Sequence, residues 1–200
     1  MSKYRGPRLR VIRRLGALSA FSQKIPKCYN FPGQHSEKHM KPTQFSYRLA
    51  EKQKLRFYYG IFEKKSVRYM IAARKASGST GEVLIKVLEK RLDNLVYRIG
   101  LAPTVPAARQ LVNHGYIFVN TKCVTIPSFS CFQSHILIVQ YQKIIRRLIT
   151  NNIFIKVFCP THIIFDIEKK IANITRQSDQ REVPLNLKEL FVVEYYSNRL

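Results

Sequence analysis

Acidic residues are scarce in this chain: 12 Asp and Glu stand against 35 Lys and Arg among 200 residues, a formal net charge of +23. Such an imbalance repels itself in a compact fold and attracts polyanions, so nucleic acid is the leading class of partner and an anionic membrane surface the second. Long apolar runs are missing as well. Nothing approaches the roughly 18 consecutive apolar residues that cross a bilayer, which argues against an integral membrane protein. Cysteine is sparse and scattered: Cys28, Cys123, Cys131 and Cys159 form no C-x-x-C pair and have no His at zinc-ligand spacing. No metal or other cofactor is therefore expected, and the thiols read as mostly buried and inert in a reducing compartment.

Catalytic motifs are absent too. The sequence holds no G-x-S-x-G and no H-E-x-x-H, and none of His35, His39, His114, His135 and His162 stands with a Cys or Ser in a nucleophile motif. His114, beside Asn113 at a helix end, suits a hydrogen bond to backbone or phosphate. The turn Gly78-Ser79-Thr80-Gly81 lacks the G-x-x-x-x-G-K-[ST] pattern and carries Glu82 where a Lys would be needed. It reads as a linker and helix cap, not as a phosphate cradle.

What the chain does have is enough apolar material to fold: 46% of its residues are hydrophobic, unlike a disordered basic tail. Its length allows one large domain or two small ones. The charge is uneven, with 21 basic and 5 acidic residues from Met1 to Lys90 and 14 and 7 from Arg91 to Leu200. The first half is the stronger electrostatic footprint.

Residues 1–43 are rich in Pro, Gly, Lys and Arg without a sustained period, and read as a basic extended arm. The segment Tyr4 to Leu15 (YRGPRLRVIRRL) is too dense in Arg and too poor in Ser for an organelle transit peptide. From Gln44 to Ala76 the spacing predicts two basic helices separated near Gly60. The run Lys52-Gln53-Lys54-Leu55-Arg56-Phe57-Tyr58-Tyr59 alternates bases with rings, a pattern suited to phosphate contact and base stacking.

Ser79 with Glu82 has the capping-box pattern for a further helix. Leu84, Val87, Leu88, Leu92, Leu95, Val96 and Ile99 continue it as one apolar stripe to Gly100. Thr104 caps a shorter helix with Pro106 in its first turn, ended by Gly115. Beyond it the period becomes two: Tyr116 to Val119, a turn at Asn120-Thr121, and a return strand Lys122 to Val124. Ile136 to Val139, Ile153 to Phe158 and Ile163 to Ile167 are expected strands. Asn186 followed by Glu189 suggests a capped terminal helix with Leu187, Leu190 and Val193 facing inward.

Two segments carry a resemblance. Arg91 to Pro103 (RLDNLVYRIGLAP) and Ala107 to Asn120 (AARQLVNHGYIFVN) together resemble the RNA-binding module named after small-subunit ribosomal protein four. RNA-modifying enzymes and some aminoacyl-tRNA synthetases carry that module too, so the flanks matter. Tyr4 to Leu15, Pro32 to His35 (PGQH), Leu49 to Tyr59 (LAEKQKLRFYY), Ala73 to Gly81 (ARKASGSTG) and Val183 to Ser197 (VPLNLKELFVVEYYS) are similar to the remaining segments of that ribosomal family. The likeness runs essentially end to end.

The resemblance implies an α+β fold: a mainly helical domain with an inserted RNA-binding module of two short helices plus a β-hairpin and further strands. The boundaries that follow are an arm over 1–43, a helical domain over 44–90 completed by a helix in 186–200, and the module with its β-rich sequel over 91–185. It also implies a primary small-subunit rRNA-binding protein that nucleates assembly of the subunit body. With neighbouring small-subunit proteins, such a protein lines the region where mRNA enters and contributes to translational accuracy. The matching residues are Arg5, Arg8, Arg10, Arg13, Arg14, Lys52, Lys54, Arg56, Arg74, Lys75, Arg91 and Arg109, with Gln110, Asn113 and His114 inside the module.

This chain departs from the family pattern in places. Ser36 to Met40 is mixed where relatives are strongly basic, and Ser128 to His135 (SFSCFQSH) lacks the basic residues and Pro-Gly turn common there. The resemblance therefore carries no RNA contacts to either segment. The hairpin turn has Asn120-Thr121 in place of Asn-Gly, and with only Cys28 near the amino terminus the zinc site of some relatives is not expected. The preference for Ile, Phe, Tyr, Asn and Lys over Ala and Gly is that of an AT-rich genome, and PGQH with EYYS is similar to plastid members. A chloroplast ribosome is the first expectation, ahead of a bacterial cytoplasm or a mitochondrion. The alternative readings are an RNA-modifying enzyme, for which no segment has the length or the acid and nucleophile set, and a free RNA chaperone.

Overall fold

The computed structural model describes residues 4–34, 41–133, 135–139, 160–166, 169, 171–176 and 182–197. The expected strand over Ile153 to Phe158, and His35, His39 and Cys159, lie outside them. Among the described residues are helices α1 (Arg8–Leu15), α2 (Gln44–Tyr58), α3 (Glu63–Lys75), α4 (Thr80–Glu89), α5 (Leu92–Arg98), α6 (Val105–Asn113) and α7 (Glu189–Ser197). Strands β1 (Ile117–Val119), β2 (Lys122–Cys123), β3 (Ile136–Val139), β4 (Ile163–Asp166) and β5 (Ile171–Ile174) complete an α+β fold. The chain forms two compact units, one of Met1–Val83 with Leu185–Leu200 and one of Leu84–Pro184.

In the first unit the two basic helices fall where the spacing predicts them, with Thr43 capping α2 by accepting from the Ser46 amide. The arm is less extended than its composition suggests. Arg8–Leu15 is helical because Ile12 finds a buried site, and Leu18, Ala20 and Phe21 are buried just after it. Phe21 meets Tyr4 and Phe57 ring to ring at 5.8 and 5.3 Å. Helix α7 packs on α2 through Val192, Tyr195 and Tyr196, one helical face at spacings of three and four. The expected inward face is thus corrected: Leu190 is 74% exposed, because the aromatic pair and not the first leucines sets the rotation. Asn186 is likewise not the cap, since the helix starts only at Glu189.

In the second unit the apolar stripe from Leu84 to Ile99 is two helices, not one. Arg91 is extended, at φ −72° and ψ 137°. Here segment 127–131 offers better backbone partners: the Leu92 amide donates to the Phe129 carbonyl at 2.9 Å and the Asp93 amide to Pro127 at 3.1 Å, while Lys90 accepts from the Cys131 amide at 2.8 Å. Leu88 and Leu92 stay four apart across the break, so the stripe in the sequence runs on without a signal. Helices α5 and α6 pack together, and Thr104 caps α6.

The five strands form one antiparallel sheet in the order β2-β1-β3-β5-β4. Register puts Ile117, Val119, Leu137, Ala172, Ile174 and Ile163 on one face, and all six are buried. Strand β5 was not expected; its Ala172 and Ile174 alternate with Asn173 over only four residues, too short a run for periodicity alone. The β1–β2 turn places both Asn120 (φ 47°) and Thr121 (φ 74°) in the left-handed region. Asn tolerates that; a β-branched residue does so at a cost. Thr121→Gly is therefore expected to raise stability by about 1 kcal/mol, read as a higher urea midpoint at unchanged slope.

Candidate nucleic-acid interface

The basic residues divide by what already holds them. Helix α3 buries Ser66, Met70 and Ala73 and leaves Lys64, Lys65, Arg68, Arg74 and Lys75 exposed. None of Lys64, Arg68, Arg74 and Lys75 has a carboxylate partner among the described residues. In the arm, Arg5, Arg10 and Arg14 are exposed in the same way. Lys64 and Lys65 went unnoticed in the sequence because they lie outside the matched motifs. The three-and-four spacing around Met70 could have found them.

Other matched residues are engaged inside the fold. Arg13 donates to the backbone oxygens of Asn30 at 2.9 Å and Phe31 at 3.3 Å, pinning the arm. The Arg8 guanidinium lies over the Phe21 ring at 5.7 Å. Lys54 pairs with Glu51 at 2.6 Å, and Arg56 lies 5.3 Å from the Phe57 ring with Glu63 at 3.9 Å. Lys52 is only 4% exposed; its ammonium sits 2.5 Å from Glu63 and 4.9 Å from the Tyr195 ring centroid.

Arg91 shows the largest difference between expectation and placement. It is 4% exposed and meets Asp93 through two bonds, at 3.1 and 2.8 Å. Asp93 also accepts from Arg109 at 2.8 Å and from the Asn94 amide at 2.9 Å. Beside it, Glu89 binds Arg98 bidentately at 3.0 and 2.7 Å and accepts from the Asn94 side chain at 2.7 Å. The segment RLDN is thus a buried charge network that ties α4, α5 and α6 together. Arg91 and Arg109 match the family's basic positions in sequence, and charge alone does not say which way a side chain points.

The exposed face of α6 is polar. Gln110, Asn113 and His114 are exposed at spacings of three and one, opposite the buried Ala108, Leu111 and Val112. The β1–β2 hairpin lies against this end of α6, where a Cβ on Gly115 (φ +77°) would stand 3.3 Å from the Cys123 sulfur. Lys122 at the hairpin is exposed. Module polar groups and a cation thus share one end of the second unit.

Nothing in the described residues offers a catalytic constellation. His162 is buried with its Nδ1 2.6 Å from Glu182, which Thr161 and Arg176 also contact. Burial opposes charge on Glu182, but those hydrogen bonds and the nearby His162 and Arg176 hold its carboxyl below its ordinary value. His135 accepts from the Phe132 amide at 3.2 Å. The glycine turn holds a carboxylate of its own, since a Cβ on Gly81 would stand 2.8 Å from Glu189. Burial and Glu82 push the Glu189 carboxyl up, the reverse of an anion site. The thiols also differ from expectation: Cys28 and Cys123 are exposed, and only Cys131 among the described three is buried, its thiol pushed up to about 12 by desolvation. No group of three metal-binding side chains occurs, and no helix is long and apolar enough to cross a membrane, among the described residues.

Residues 3–89 match the ribosomal protein S4/S9 N-terminal domain, and residues 90–131 match the S4 domain. The small ribosomal subunit protein uS4 of Thermosynechococcus vestitus is 46% identical over 202 residues, covering 100% of both chains. That of Rippkaea orientalis is 47% identical over 201 residues, and the protein uS4c of Rhodomonas salina is 45% identical over 201, again with full coverage of both chains.

Proposed function

The chain belongs to the ribosomal protein S4 family, and from that premise we propose that it is a structural, non-enzymatic component of the small ribosomal subunit that binds the subunit's rRNA. The observation that carries this reading is 46 to 47% identity to uS4 proteins over the full length, in a chain whose exposed Lys64, Arg68, Arg74 and Lys75 have no carboxylate partner among the described residues. The proposed phosphate contacts are Arg5, Arg10, Arg14, Lys64, Arg68, Arg74 and Lys75, joined by Gln110, Asn113, His114 and Lys122 from the module. Lys52 and Arg91 are assigned to folding. Arg8, Arg13, Lys54, Arg56 and Arg109 hold the fold and reach RNA through their exposed portions.

Nucleation of the subunit body suits a protein with two compact units that each present polar or basic groups. Contacts to neighbouring proteins and to mRNA where it enters, with an effect on accuracy, rest on likeness to the family. A plastid ribosome is supported by uS4c relatives and by the AT-type composition. Cyanobacterial uS4 proteins are as similar, so a bacterial home is the competing reading.

Co-sedimentation tests the proposal. Tagged protein expressed in its own compartment is expected to travel with small subunits in a sucrose gradient. Protein that stays at the top would instead support a free RNA chaperone.

A further inference from the structure

We propose that Phe132 is a stacking platform for one unpaired base of the rRNA, an inference that rests on the rRNA-binding reading above. Segment 128–135 has no Lys or Arg, so phosphate attraction cannot be its means of contact. It does carry rings. Phe132 is 57% exposed, and the Lys90 ammonium lies over its ring at 5.7 Å from the centroid.

Single exposed apolar residues are ordinary on protein surfaces. This one differs in being held. The Cys131 amide bonds to the Lys90 carbonyl at 2.8 Å, Ser130 bridges to Arg91, and the Phe129 carbonyl accepts from Leu92. On the other side His135 and Phe132 exchange bonds, amide to carbonyl at 3.2 Å and amide to Nδ1 at 3.2 Å. The His135 ring then stacks on Phe129 at 6.0 Å and meets Phe132 at 78° and 5.9 Å. The backbone under Phe132 is therefore fastened to the start of α5, and little ordering entropy remains to be lost on binding.

The surroundings favour a base. Beside the ring is a small, open hollow lined by Leu95, Ile174, Gln133, Lys90 and Arg176 among others. It is too small to seat a helix. An aromatic face takes any base, the exposed Gln133 amide can donate or accept at a base edge, and Lys90 supplies charge for the attached phosphate. A protein neighbour would need a broader apolar patch than this ring and hollow provide.

The test uses the full-length chain and small-subunit rRNA, with affinity measured across a salt series and base reactivity mapped by chemical probing. Phe132→Ala is expected to weaken binding about 5- to 150-fold. The slope of affinity against salt stays unchanged, because no charge is removed. Phe132→Leu, which keeps apolar area and loses the ring, is expected to lose as much; Phe132→Tyr is expected to retain wild-type affinity. One rRNA nucleotide loses its protection in the Ala and Leu variants. Wild-type affinity in Phe132→Ala or in Phe132→Leu overturns the proposal. So does normal binding of naked rRNA by a Phe132→Ala protein that fails to travel with small subunits, which would mark the ring as a contact to protein. If the unaltered chain itself shows no salt-dependent rRNA affinity, the rRNA-binding reading fails and the stacking site with it, a result distinct from failure confined to the Phe132 variants.

Discussion

Glu89→Ala is expected to destabilise the second unit by about 3 to 5 kcal/mol, the cost of leaving one member of a buried ion pair without its counter-charge. Arg98 is 2% exposed and donates to both oxygens of Glu89; with that carboxylate gone its buried guanidinium loses its counter-charge. Domains of this size are stable by only about 5 to 15 kcal/mol. The variant should therefore lose between about a fifth and all of its margin, seen as a large drop in the urea midpoint by circular dichroism. Asp93→Ala acts on the neighbouring half of the network. Its loss is smaller for Arg109, which is partly exposed, than for the buried Arg91. The two substitutions should not add, because Asn94 bonds to both carboxylates. Replacing the pair as Glu89→Leu with Arg98→Met is expected to recover part of the loss, since apolar substitutes for a buried pair are often neutral. Asn94 then lacks its Glu89 partner, so recovery is incomplete. Equal stability of Glu89→Ala and the unaltered protein would refute a structural role for this network.

Affinity for small-subunit rRNA is expected to fall about a thousand- to a hundred-thousand-fold between 50 and 200 mM salt if about 6 to 10 phosphates are neutralised. The cations of the arm and α3 proposed as phosphate contacts are of that number: Arg5, Arg10, Arg14, Lys64, Arg68, Arg74 and Lys75, all exposed. Each neutralised phosphate contributes roughly −0.9 to the slope of log affinity against log salt. Lys75→Ala should therefore make the slope shallower by about one while leaving the melting transition in place. Arg91→Ala should do the opposite, lowering stability and leaving the slope alone. These two variants separate residues that resemblance alone groups together. A flat salt profile would rule out charge neutralisation as the basis of binding.

Much of the architecture was legible because local rules dominate it. Gln44 to Ala76 carries its helical period into two helices, Thr104 and Pro106 begin α6, and Asn120-Thr121 makes the hairpin turn. Where the reading missed, a distant segment outweighed a local preference. The stripe through Leu88 and Leu92 breaks because residues 127–131 take over its backbone bonds. Helix α7 turns Leu190 outward because Tyr195 and Tyr196 fill the space against α2 and α3.

The candidate site divides in the same way. Net charge and its bias toward Met1 to Lys90 identify a polyanion partner from composition alone, since total charge does not depend on how the chain folds. The motifs RLDNLVYRIGLAP and AARQLVNHGYIFVN, with their flanks, identify the family. Which cation meets RNA is a different kind of fact. Arg91 and Lys52 look the same as Arg74 and Lys75 on the page, and only the folded chain brings Asp93 and Glu63 beside the first two and leaves the others in water. Composition determines the charge. Tertiary structure decides where it is spent, because desolvation and a nearby carboxylate are properties of position, not of residue type.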